Sequence, residues 1–169
     1  MRRKTILKHT PSALESTRKP LKDKGKGILP RKVKQPSKST IKKRAWEAFS
    51  RFIRTRDCLR TTGCAEWGLC ITCSRRYHFK LLQAGHFISG RHNANLFNEK
   101  GCHAQCYNCN INLRGNSLEY RRQIIKLYGE GYDEVLEQEA REIRKYTSQD
   151  LTNLEKEFKM KVEELIKEK

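Results

Sequence analysis

CITCSRRYHFKLLQAGHFISGRHNANLFNEKGCHAQCYNCN, residues 70–110, decides how this chain folds. It opens on Cys70/Cys73 and closes on Cys106/Cys109, two Cys-x-x-Cys pairs, with His86 and His103 between them and Asn110 directly after the last cysteine. Two pairs at this spacing can close a tetrahedral thiolate site around one Zn2+, and such a site supplies folding energy to a small domain that lacks a large core. The zinc is expected to be structural. Within the clamp, YHFKLLQAGHF reads as a strand ending at His86, GRHNANLFNE as the loop of a long hairpin and GCHAQC as the returning strand. From Asn110 a helix should start, broken near Arg114 and Gly115.

Working outward, KKRAWEAFSRFIRTR carries Trp46, Phe49 and Phe52/Ile53 at helical spacing, with Ser39 or Thr40 placed to cap the helix. Arg44, Arg51, Arg54 and Arg56 fall largely off that stripe, facing either DNA or solvent. DCLRTTGCAEWG, residues 57–68, reads as a loop. Cys58 and Cys64 are spare thiols there, since a second metal site would need two more ligands and only His78 is near. Beyond the clamp, Asn116 and Glu119 resemble a capping box for a helix carrying Leu118, Ile124 or Ile125, and Leu127/Tyr128. Gly129 and Gly131 punctuate, and 132–145 and 148–168 read as two more helices. In the last, Leu151, Leu154, Phe158, Val162 and Leu165 lie near heptad spacing, which fits either a hairpin packed back on the domain or a dimer seam.

The 169 residues carry a net charge of +18, unevenly placed. Residues 1–44 hold sixteen basic against two acidic side chains, 45–128 thirteen against five, and 129–169 eight against twelve. A polyanion such as DNA suits the first two segments and not the third. Residues 1–40 are rich in Lys, Arg, Ser, Thr, Pro and Gly with few apolar side chains, so they read as a disordered basic arm. With no long apolar run or secretory leader, no membrane is expected and the location reads as cytoplasmic. In that reducing compartment seven cysteines, an odd number, argue for metal ahead of disulfides.

Hydrolysing a phosphodiester needs an activated water, a cation for the developing charge and help for the leaving alkoxide. A general base belongs on a stiff element, within about 2.6–3.2 Å of its water, and His86 at a strand end inside the clamp meets that need. Asn110 is fixed against the strands by the zinc, and its carbonyl oxygen suits a hard ion such as Mg2+ or Mn2+. His103 shares a strand face with Gly101 and Gln105. If that face looks at His86, His103 becomes a second ligand or a phosphate contact.

Cys70-x-x-Cys73, AGHF at 84–87 and CHAQCYNCNINLRGN at 102–116 together resemble the NinG/Rap family of phage recombination endonucleases, a branch of the HNH or His-Me finger nucleases. The resemblance spans roughly residues 45–146, and the order of motifs is similar to that of phage endonuclease VII. It implies a zinc-stapled ββα-metal core that cuts branched DNA such as Holliday junctions and recombination intermediates, inside a bacterial host. By position, it makes His86 the general base, Asn110 the helix-borne ligand of the catalytic ion, and Cys70, Cys73, Cys106 and Cys109 the zinc ligands. The chain departs from the pattern at two places: Gly85 stands where many HNH enzymes carry an acidic metal ligand, and Gly101 where the middle Asn belongs. A backbone carbonyl would then orient His86. Glu99, Asn98, His92 or His103 is left to supply the second ligand.

The expected class is therefore α+β: a disordered arm (1–40), a zinc-stabilised HNH-like nuclease core with flanking helices (41–128) and a C-terminal helical segment (129–169). The expected function is a metal-dependent endodeoxyribonuclease acting on branched DNA in phage recombination, with Arg91 and Arg114 positioning phosphates. Two opposed nicks call for a homodimer. The alternative is a non-catalytic, zinc-stabilised DNA-binding accessory protein that recruits recombination or replication proteins.

Overall fold

A computed structural model describes residues 35–90 and 92–167. The expected disordered arm lies outside the described residues as far as residue 34, and so does Arg91.

The first helix, α1, runs Lys38–Thr62, capped by the Ser37 hydroxyl, which accepts from the Thr40 N–H. The cap thus falls ahead of both hydroxyls favoured by the sequence. The far end also differs: Asp57 to Thr62, expected as loop, stays helical until Gly63 closes it in the left-handed region at φ 69°. Burial explains the extension. Asp57 and Cys58 are both buried, and Asp57 Oδ2 accepts the Ala104 N–H at 2.7 Å while Arg56 and Arg60 hold its other oxygen.

Two small antiparallel sheets follow. In the first, β1 (Trp67–Leu69) pairs with β2 (Arg76–His78), and the Cys70–Cys73 knuckle forms the turn between them. The long strand expected up to His86 is interrupted by a 3-10 turn at Phe79–Leu81, so β3 is only Leu82–His86. It pairs with β4 (Cys102–Cys106) in the register Leu82↔Cys106 through His86↔Cys102. A π-helical turn, Asn108–Asn112, comes next. Arg114, Gly115 and Asn116 then take three consecutive positive φ values and swing the chain into α2, Ser117–Tyr128. Asn116 precedes α2 as read, but no capping box forms: its backbone is left-handed, its side chain makes no cap bond, and Glu119 bonds Arg122 and Gln123 instead. Helices α3 (Tyr132–Arg141) and α4 (Ser148–Lys167) complete the chain, and no helix among the described residues is long and apolar enough to cross a membrane.

The near-heptad stripe of α4 faces inward. Phe158 and Val162 pack with Ala48, Phe49 and Phe52 of α1, and with Ala84 and Cys102 of the β3–β4 hairpin. The C-terminal helix therefore shares the core of the first helix, and the seam left open by the heptad pattern is filled from within. Of the spare thiols, Cys58 is a core residue, pushed up to about 11 by burial, while Cys64 is half-buried; Cys102 is also in the core.

Candidate active site

Two short segments distant in sequence build the cysteine cluster. The Cys70 knuckle is closed by the Ser74 N–H bonding the Cys70 carbonyl (2.9 Å), with Ser74 at φ 54°. It is tied to β4 by the Ile71 N–H on the Ala104 carbonyl (2.9 Å), which brings it beside Cys106 at the end of β4 and Cys109 in the π turn. The Sγ atoms of Cys70, Cys73, Cys106 and Cys109 all lie within 4.8 Å of one another. A tetrahedral ion with Zn–S bonds of about 2.3 Å holds its sulfurs about 3.8 Å apart, so a small contraction closes the set. Burial raises the Cys70 thiol, but hydrogen bonds from Thr72 and nearby backbone bring it down to about 7; burial leads in pushing Cys109 up to about 12. Four thiolates so close repel one another unless a cation stands among them, and the cluster can hold a structural metal such as zinc.

A cleft of about 640 Å³ opens beside the cluster. His86 reaches it from the end of β3 and Asn110 from the π turn, with Arg114 and Arg121 also on its walls. The His86 ring stacks on Trp46 (centroids 5.2 Å apart, planes at 22°), and its Nε2 lies 3.2 Å from the Leu96 carbonyl oxygen. A carbonyl can only accept, so this bond keeps the proton on Nε2 and makes Nδ1 the basic nitrogen. Asn110 is braced by its Nδ2 donating to Gln83 Oε1 at 2.7 Å, which aims Oδ1 toward Gly85.

A family model described as the bacteriophage lambda NinG protein matches residues 1–168. The chain belongs to the NinG family. It is 29% identical over 137 residues to protein ninG of Escherichia phage lambda, a match covering 80% of this chain and 62% of that protein. It thus spans less than two thirds of the length of the curated relative it matches. No solved structure matches.

In this NinG-family chain the structure brings His86, Asn110 and Arg114 to one cleft but leaves His103 out. Strand alternation decides it: His103 pairs with Gly85, one residue from the His86↔Cys102 pair, and so faces the opposite side of the hairpin. There it is fully buried, with Nδ1 3.2 Å from the Tyr120 hydroxyl and Nε2 3.0 Å from that of Tyr128. Burial drives its pKa down to about 3. His103 is a buried strut, not a ligand. The other candidates for a second ligand also look elsewhere. Asn98 caps the turn at Lys100 and Gly101 and donates to Glu139, Glu99 pairs with Lys161, and His92 is exposed outside the cleft lining. Arg44 and Arg56, weighed as DNA contacts, bond Glu155 and the Glu99 and Cys102 carbonyls; Arg54 bonds the Ser50 and Phe79 carbonyls. The sequence reading did not single out Gln83, Arg121, or Trp46 as the support of His86. Of these, only Gln83 carried a signal, as the residue two before Gly85 on one strand face.

Proposed function

We propose that the chain is a metal-dependent endonuclease that nicks branched DNA, such as Holliday junctions and recombination intermediates, with β3, β4 and the π turn forming an HNH-like ββα-metal core. One observation carries this reading: a histidine with an oriented basic nitrogen and an asparagine with an oriented carbonyl oxygen line one cleft, with arginines on its walls. His86 Nδ1 takes a proton from water as the water oxygen bonds to phosphorus and the bond to the leaving alkoxide breaks; solvent protonates that alkoxide. Arg114 steadies the phosphate. Asn110 Oδ1 suits Mg2+ or Mn2+, and such an ion would neutralise charge gathering on the phosphoryl oxygens. The basic balance of residues 45–128 favours a nucleic-acid partner, and opposed nicks favour a homodimer.

A non-catalytic DNA-binding role is the second reading, because no carboxylate is among the cleft-lining residues described. Incubating the zinc-loaded full chain with a labelled four-way junction, a linear duplex and Mg2+ or Mn2+ separates the two. Metal-dependent nicks near the branch support the nuclease; binding without nicks supports the other role. The His86→Ala variant should lose cleavage while keeping junction binding and zinc, and a variant that still nicks removes His86 from the chemistry.

A further inference from the structure

We propose that Ile111 and Leu118 form an apolar wedge on the wall of the cleft that seats the interrupted base stack of a DNA branch, and so select branched over linear DNA; this rests on the nuclease reading above. Of the apolar side chains lining the cleft, Ala84 and Phe87 are buried, and Ile88 packs against the cluster of Phe87, Tyr120 and Ile124. Ile111 and Leu118 belong to no such cluster. They line the same cleft yet stand 49% and 74% exposed, Ile111 in the π turn and Leu118 in the first turn of α2. The left-handed turn at 114–116 lies between them, and both reach the cleft that His86 enters from the end of β3.

Charge says what covers them. From Tyr107 to Leu118 the chain carries no Asp or Glu. Arg114, between the two apolar side chains, is exposed and makes no ion pair among the described residues, whereas Arg121 on the same cleft is held by Asp133 and Glu137. An uncompensated guanidinium between two exposed apolar side chains suits a ligand that presents a phosphate next to a flat apolar face, which is a nucleotide whose base has lost its stacking neighbour. In a linear duplex a side chain enters between bases only by unstacking them, and that cost opposes binding. At a branch the stack is already interrupted, so the same contact forms with little of the cost. The difference emerges as preference for the branch. His86 and Arg114 alone supply none, because water and phosphate are the same along any DNA.

The test uses the zinc-loaded full chain in a His86→Ala background, which keeps the DNA uncut, and measures binding to a labelled four-way junction, a linear duplex and the same duplex with a two-base bulge, all at one salt concentration. Combining Ile111→Ser with Leu118→Ser should lower the ratio of junction to duplex affinity at least about 10-fold, with duplex binding at the parental level. The bulged duplex should bind the parent more tightly than the intact one, and lose that advantage in the double variant. Leu113→Ser removes an apolar side chain that is 51% exposed but outside the cleft lining, and should leave the ratio unchanged. If the double variant loses zinc, because Ile111 lies two residues from Cys109, Leu118→Ser decides alone. A parental ratio, an equal loss on junction and duplex, or the same loss in Leu113→Ser overturns the wedge and leaves the nuclease standing. So does a dimeric parent that becomes monomeric in the double variant by sedimentation, which would assign the two side chains to a second copy of the chain. A parent without junction preference overturns the wedge too, and reaches the nuclease reading only if the wild-type chain also fails to nick branched DNA.

Discussion

Removing the Phe158 ring asks whether α4 belongs to the core of its own chain. Phe158 is 2% exposed and packs on Phe49 (centroids 4.9 Å), Phe52 (5.5 Å) and Phe97 (6.3 Å). These neighbours are themselves held by α1 and the β3–β4 hairpin, so Phe158→Ala leaves a cavity the surroundings cannot fill. The cost should be about 3–5 kcal/mol. Against a total stability of about 5–15 kcal/mol for a domain, that is a large fraction. Urea unfolding of the zinc-saturated chain, at concentrations spanning fifty-fold, measures it. If α4 packs on its own α1, the penalty is the same at every concentration. A seam shared between two chains would instead move the wild-type midpoint by up to about 2.3 kcal/mol over that range and link the penalty to dimerisation. A cost below about 1 kcal/mol, or one that vanishes on dilution, would refute the packing described.

Three other outcomes are expected. Asp57→Ala strips the buried carboxylate from Arg56, Arg60 and the Ala104 N–H and should cost about 3–5 kcal/mol in the same assay, whereas a loss typical of an exposed ion pair would contradict its role as the pin between α1 and β4. Burial keeps His103 neutral down to about pH 3. Below its ordinary pKa of about 6.5 the unfolded chain takes up a proton the folded chain refuses, so stability falls with acidification, by about 2 kcal/mol near pH 5. Thermal unfolding of wild type and His103→Gln across that range should show the shallower slope in the variant, and parallel slopes would exclude a buried neutral imidazole. Cys70→Ser should lose zinc and folded structure together, read by metal analysis and circular dichroism; an intact fold without metal would show that the cluster does not staple the domain.

How much was legible in advance varied with the range of the signal. The α1 stripe at Trp46 and Phe49 was readable because helical spacing is local, yet the extension to Thr62 was not: it depends on Asp57 meeting an amide on β4, forty-seven residues away. The Asn116/Glu119 pair had the spacing of a capping box, and the left-handed turn at 114–116 overrode it.

From spacing alone the sequence determined the paired knuckles, the hairpin between them and the positions of His86 and Asn110, because thiolate geometry and strand period constrain residues a few places apart. Tertiary structure alone decided which face of that hairpin meets the cleft. Moving one residue along a strand reverses a side chain, so His103 was turned into the core while His86 was left at the cleft. It also decided that Asn110 folds back from the π turn onto Gln83 and Gly85, a contact that no run of neighbouring letters encodes.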